Sequence, residues 1–191
     1  MQIPIEVSAR HAHLTPEVIE ELFGSYALKQ KKELSQPGEF ASSQQVTLKT
    51  KKGVIERVRV LGPARDYNQI ELCQTDAYRL GVNPPVRDSS ELNLEGTPGI
   101  TLIGLKGEVV LEKGLIIPWR HIHLSPNEAI EMGLKDGQLV KVDIDSHPRS
   151  LVFENVLVRV SPKYKLSMHI DTDEGNAAGV AREGEGRLLA N

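Results

Sequence analysis

Four of the six histidines stand in two His-x-His pairs, His11/His13 and His121/His123. In a strand, residues i and i+2 point to the same face, so each pair presents two imidazoles side by side. That arrangement suits a metal ion, and zinc sites that do chemistry take three ligands from His, Asp or Glu with one position left open. Paired histidines also serve as polar core or cap residues, so one pair alone is ambiguous. The chain carries two in matching surroundings: Arg10-His11-Ala12-His13-Leu14-Thr15-Pro16 recurs as Arg120-His121-Ile122-His123-Leu124-Ser125-Pro126, an offset of 121 − 11 = 110. Such self-similarity signals a duplicated unit. A weaker match at an offset of 169 − 71 = 98 aligns Glu71-Leu72 and Gly81-Val82 with His169-Ile170 and Gly179-Val180. The repeat therefore nominates Glu71 as third ligand in the first half and His169 in the second. Without it, Glu71 would read as a surface carboxylate and His169 as a half-buried strand histidine.

Cys73 lies two residues from Glu71 and can share its face as an alternative or extra ligand, although a small buried hydrophobe is the commoner role. His147, in Ser146-His147-Pro148, reads as a turn residue. Arg65, in Gly62-Pro63-Ala64-Arg65-Asp66, follows a strand end and precedes the Glu71 strand, within reach of a metal edge. Its guanidinium fork fits a phosphate oxyanion, whereas a lone loop arginine is usually just solvated. Lys52 and Arg59 add positive charge to the same half, to meet a polyphosphate or simply to cover a face.

Elements that position these groups are short. Thr15 and Ser125 are N-cap residues followed by Pro16 and Pro126 at the first helical position, and Glu128 completes a capping box. One helix carries Val18, Ile19, Leu22 and Phe23 and stops at Gly24; the other carries Ala129, Ile130 and Met132 before Gly133. The rest reads mainly as strands at 46–50, 54–61, 100–105, 109–111, 138–144, 151–160 and 165–170. Many short strands with close turns predict small barrels, which remove exposed sheet edges by closing. The stretch 26–45 reads as a basic helix turn and a loop, and 83–98, with Pro84-Pro85, as an irregular surface crossing. The expected fold class is mainly β, with two small pseudo-symmetric β-barrel domains at 1–117 and 118–191, short helices, and the site between them.

The 191 residues fit one ordinary domain or two small ones. A net charge of −3 offers no broad cationic surface for a nucleic-acid backbone, and three Phe, four Tyr and one Trp make a poor base-stacking platform. Nucleic acid and membrane are therefore not expected partners, since no apolar run approaches the roughly 18–20 residues of a spanning helix. The first motif begins at Ser8, which leaves no room for a signal peptide and favours a cytoplasmic chain. A single cysteine leaves the fold to burial rather than disulfides.

At these motifs the sequence resembles the PduL-type phosphotransacylases, also called phosphate propanoyltransferases. The residues concerned are Ser-Ala-Arg-His-Ala-His-Leu at 8–14, Val-Leu-Gly-Pro-Ala-Arg at 60–65, Glu71 with Thr75-Asp76, the 120–126 motif, and His169 with Asn176. The resemblance covers nearly the whole chain. It implies two β-barrel domains around a site with two zinc ions, one held by His11, His13 and Glu71, the other by His121, His123 and His169. It further implies phosphate binding by Arg65 and coenzyme A contacts from Val7, Ser8, Ala9, Lys52, Arg59 and Asn176. The implied reaction exchanges a short acyl group, acetyl or propanoyl, between coenzyme A and inorganic phosphate, as in propanediol degradation. Relatives with an amphipathic N-terminal extension enter a bacterial microcompartment. No such extension precedes the first motif here, so a freely cytoplasmic enzyme is expected, with a homodimer compatible. A two-metal hydrolase, or a non-catalytic metal-stabilised module associated with a microcompartment, are the alternatives that the residues leave open.

Overall fold

The computed structural model describes residues 1–90 and 94–189. Its first part runs β1 (Gln2–Val7), β2 (His11–His13), α1 (Pro16–Phe23), β3 (Gln30–Glu33), β4 (Phe40–Lys49), β5 (Val54–Gly62), β6 (Gln69–Glu71), α2 (Gln74–Leu80), β7 (Val86–Arg87), β8 (Ile100–Ile103), β9 (Glu108–Leu111) and β10 (Leu115–Pro118). There follow β11 (His121–Leu124), α3 (Pro126–Met132), β12 (Leu139–Ile144), β13 (Leu151–Val160), β14 (Ser167–Ile170), α4 (Thr172–Ala178) and β15 (Glu183–Leu188). The chain is mainly β, as expected, and no described helix is long and apolar enough to cross a membrane.

Two compact units form. One holds Arg10–Leu34 and Gly38–Pro118. Its curled sheet runs β7-β10-β6-β2-β5-β4-β8-β9, with β3 paired to β4. Leu14, Ile19, Leu22, Leu48, Val58 and Leu102 are among the side chains of its core, all inaccessible to solvent. The other unit holds Met1–Ala9, Ser35–Pro37 and the chain from Trp119 onward, and its sheet closes as a barrel in the order β1-β14-β11-β13-β12-β15. Ile3, Ile5, Ile122, Val142, Val158 and Met168 fill it.

The units thus differ from the contiguous spans 1–117 and 118–191. The first strand is built into the later unit because β1 pairs in parallel with β14, Ile5 opposite Met168, and antiparallel with β15, Ile3 opposite Gly186. Its alternating Ile3 and Ile5 point inward while Gln2 and Pro4 face out.

The repeat is structural. Each His-x-His strand leads into an N-cap hydroxyl and a Pro-initiated helix: Thr15 accepts from Val18 N, and Ser125 from Glu128 N at 3.3 Å while Glu128 closes the box on Ser125 N at 2.7 Å. Each third-ligand strand leads into a seven-residue helix, α2 or α4, that ends on a left-handed glycine, Gly81 (φ 65°) or Gly179 (φ 68°). These two helices lie outside the sequence expectation. In α4, Gly175 lowers helix propensity, yet a Cβ there would stand 2.7 Å from Val7 Cγ2, so packing requires the glycine. Asp171 and Glu174 cap that helix reciprocally. The duplication reaches further still: Arg57 (φ 58°) in β5 and Asn155 (φ 54°) in β13, again 98 residues apart, both sit where the strand register shifts. Bulges of this kind bend and re-aim strands.

The 26–45 stretch departs from expectation. Instead of a helix turn and loop it contains β3, fully exposed and carrying Lys31 and Lys32, and the start of β4. A strand with both faces in water shows no alternation to read, and its lysines protect a sheet edge from further pairing. The 83–98 stretch is irregular apart from the two-residue β7, with 91–93 outside the described residues.

Because Ile5 is 1% exposed inside the closed barrel, Ile5→Ala is expected to cost about 2–5 kcal/mol in denaturant unfolding. Amide exchange should accelerate more in β14 and β15 than in β4 and β5. Unchanged exchange in β14 would show that β1 does not hold the barrel.

Candidate metal centre

In the first unit β2 is flanked by β5, in parallel, and by β6, antiparallel. The register puts His11 opposite Glu71 and His13 opposite Gln69. Cross-strand partners project to the same face, so Glu71 joins both imidazoles. All three are buried, Glu71 at 6% exposure, which removes its reading as a surface carboxylate. His11 Nε2 stands 3.2 Å from His13 Nε2 and 3.4 Å from Glu71 Oε2. A tetrahedral zinc with bonds of about 2.0–2.1 Å separates its donors by about 3.3 Å, so the spacing fits that ion. Burial, then the charges of His11 and Arg65, hold the His13 pKa well below its usual value, with Glu71 opposing. Burial thus favours the neutral imidazole, the form a metal requires. Its Nδ1 is buried without a hydrogen-bond partner among the described residues.

The second trio repeats this plan. His121 lies opposite His169 across β11 and β14, and His123 opposite Ser167. The His121 ring centroid is 4.6 Å from that of His123 and 5.4 Å from that of His169, and His123 is 4.7 Å from His169. His121 Nδ1 donates to Trp119 O at 2.7 Å, which fixes the tautomer and turns Nε2 to the role that a metal ligand would need. In each trio the donor atoms all lie within 4.8 Å of one another. A hydrogen-bonded tyrosine supports the second trio: the Tyr164 ring is 4.2 Å from that of His123, and its hydroxyl accepts from Arg159 Nη2 at 2.7 Å.

The remaining nominated residues divide between the units. Arg65 donates to Tyr67 Oη at 2.9 Å and to Glu39 Oε1 at 3.0 Å, and its charge is felt at His13. Arg59 pairs in register with His11, placing it on the ligand face, and donates to Ser42 O at 2.9 Å. Lys52 lies in the turn ahead of β5, with its stem against Gly81. Val7 ends β1 opposite Ile170, the last residue of β14, and Ser8 N donates to Ile170 O at 2.8 Å, with Ala9 next in the chain and Asn176 inside α4. Cys73 is the buried N-cap of α2 and belongs to neither donor trio, and His147 lies in the turn after β12.

Two residues that flank the site escaped the sequence reading as partners of anything, Arg10 and Arg120. Both lie in the repeated motif, directly ahead of the first histidine of each His-x-His pair. Arg10 is ion-paired to Asp76 and Arg120 to Glu174. The repeat offered the signal, once the two acids are aligned at the 98-residue offset.

The chain has named relatives throughout its length. The family model described as phosphate propanoyltransferase matches residues 4–181. A phosphate propanoyltransferase of Thermotoga maritima is 53% identical over 177 residues, 92% of this chain and 83% of the relative. Those of Salmonella typhimurium and Alkaliphilus metalliredigens are 48% identical over 177 residues and 49% identical over 190, covering 93% and 99% of this chain and 83% and 88% of the relatives. With its two donor trios inside the matched span, the chain belongs to the phosphate propanoyltransferase family and is a phosphate acyltransferase.

Proposed function

We propose that the enzyme exchanges acetyl or propanoyl groups between coenzyme A and inorganic phosphate, with zinc held by His11, His13 and Glu71 and a second zinc held by His121, His123 and His169. The donor spacing of 3.2 and 3.4 Å in the first trio carries the metal part of this reading, and the family membership carries the reaction. Bound zinc would supply Lewis acidity toward the thioester carbonyl and a thiophilic partner for the departing coenzyme A thiolate.

The protein's own groups have distinct tasks. Arg65 binds phosphate through its guanidinium fork, beside the first trio, where its backbone N–H donates to Leu14 O at 3.0 Å, one residue past His13. The Tyr67 and Glu39 contacts hold that fork in place. A phosphate oxygen attacks the thioester carbonyl carbon; the new C–O bond forms as the C–S bond breaks, giving acyl phosphate and coenzyme A thiolate. Neither a side-chain nucleophile nor an acyl-enzyme is required, so both substrates must be bound together. Lys52 and Arg59 meet the anionic part of coenzyme A, and Val7, Ser8, Ala9 and Asn176 contact the rest of that substrate.

The deciding assay follows thiol release from acetyl-CoA and propanoyl-CoA with and without phosphate, together with metal analysis of the same sample. Release that requires phosphate is expected. Release independent of phosphate would make the protein a two-metal hydrolase, and no release with metal firmly bound would make it a non-catalytic module.

Arg65→Ala should raise the phosphate KM by about 10–100-fold, the loss of hydrogen bonds to a charged group, while the acyl-CoA KM changes much less; equal changes in both would remove Arg65 from the phosphate site. His11→Ala and His121→Ala should each lower bound zinc from two ions to one per chain by elemental analysis. Full zinc in an inactive His121→Ala protein would overturn the ligand assignment. Stripping zinc with a chelator should also lower the Tm, since an ion bound only by the folded state stabilises it.

A further inference from the structure

Both units contain a second cross-connection beside the ligands. Arg10 Nη1 donates to Asp76 Oδ1 at 3.0 Å and to Oδ2 at 3.2 Å. Arg120 Nη1 donates to Glu174 Oε1 at 2.6 Å. Each arginine precedes the first ligand histidine by one residue, and each acid follows the third ligand by five: Glu71 to Asp76, His169 to Glu174. In both cases the acid is the third residue of the helix after the third-ligand strand. Across the two helix sequences, Gln-Thr-Asp-Ala-Tyr-Arg-Leu and Thr-Asp-Glu-Gly-Asn-Ala-Ala, that position is the one where both copies carry a charge.

The chemistry of the two acids fits their different lengths. Asp76, almost wholly buried, turns both oxygens toward the arginine. Glu174 is one methylene longer; it gives Oε1 to Arg120 and uses Oε2 to accept from Asp171 N at 3.0 Å. Arg120 is itself held by Nε donation to Glu154 O at 2.9 Å and by the Phe153 ring at 5.3 Å.

Mechanically, each pair supplies a second fixed point. The first is the strand register that sets His11 against Glu71 and His121 against His169. β2 and β6 have only three residues each, so a few ladder bonds alone resist sliding and splaying. An ion pair one residue before the His-x-His strand, anchored in the helix beyond the third ligand, ties the two strands at their junction with that helix. Metal sites need their donors held within about 0.5 Å of productive geometry, and removal of groups that orient ligands weakens metal binding by about 10–100-fold.

We propose that Arg10–Asp76 and Arg120–Glu174 are positioning pairs, each holding its ligand trio in metal-binding geometry before the ion arrives. This rests on the two-metal reading above. Neither arginine touches a ligand atom; each acts through the strand it begins.

The test is cobalt titration of the metal-stripped full chain, read by the visible absorption of the bound ion, with denaturant unfolding of the same apo samples. The His121→Ala background isolates the first trio and the His11→Ala background the second. Arg10→Met and Asp76→Asn are expected to weaken cobalt binding at the first trio about 10–100-fold and to leave the second unchanged; Arg120→Met should do the reverse. Asp76→Glu should retain near-wild-type affinity, because the other copy uses Glu at that position. If Arg10→Met folds poorly, Arg10→Lys is read in the same way, since it keeps the charge and loses the fork. Wild-type affinity in Arg10→Met alongside a lower apo stability would overturn the proposal and leave the two-metal reading intact. Equal loss at both trios would also overturn it, as general loosening. A wild-type chain that takes up no cobalt would overturn both readings.

Discussion

The antiparallel pairing of each His-x-His strand with the strand that supplies the third donor sets everything else in the site. A residue-by-residue ladder places His11 opposite Glu71 and His121 opposite His169, and the period of two puts the second histidine on the same face. A slip of one residue would turn every donor away. The apolar partners enforce the register: Ala12 lies opposite Ile70 and Ile122 opposite Met168, all fully buried on the other face of the same strands. Core packing and donor geometry are thus two faces of one pairing. In the first trio the polar face carries three buried titratable groups, which one metal could satisfy together.

Duplication explains why so small a chain holds two such faces. The same order of strand, capped helix, strand and helix appears in each unit, with matching left-handed residues at Arg57 and Asn155 in the strand parallel to the histidines. What diverged is the third donor, Glu71 against His169, and with it the charge that each trio offers. A carboxylate carries a negative charge that an imidazole does not, so the first trio would neutralise a dication more than the second would. The barrel that closes and the sheet that curls without closing share that local plan.

Much of the site was legible because it is local or repeated. His-x-His, Thr-Pro and Ser-Pro caps, and terminal glycines each state their own conformation, and the two offsets paired Glu71 with His169. The illegible parts follow from tertiary context. β15, Glu-Gly-Glu-Gly-Arg-Leu, carries none of the β-branched residues that mark a strand. Gly186 is there because a Cβ would come within 2.6 Å of Val142 and 2.8 Å of Ile5. Likewise α4 looks weak as a helix, and β3 looks like a loop. The strand β1 had a visible alternation, but no local signal says that its partners lie more than 160 residues ahead, at Met168 and Gly186.

That distance has a meaning for biosynthesis. Gln2–Val7 is the earliest of the described strands in chain order, yet the two that flank it, Ser167–Ile170 and Glu183–Leu188, are the last two. Arg10–Pro118, lacking only residues 35–37, holds its own sheet and core, and can organise while translation proceeds. The barrel cannot close until both of those late strands have been made, and until then β1 lacks its two partners. Contacts of such long sequence separation form slowly, so the His121 trio assembles after the His11 trio, and the order of the motifs along the chain becomes the order in which the two donor sets form.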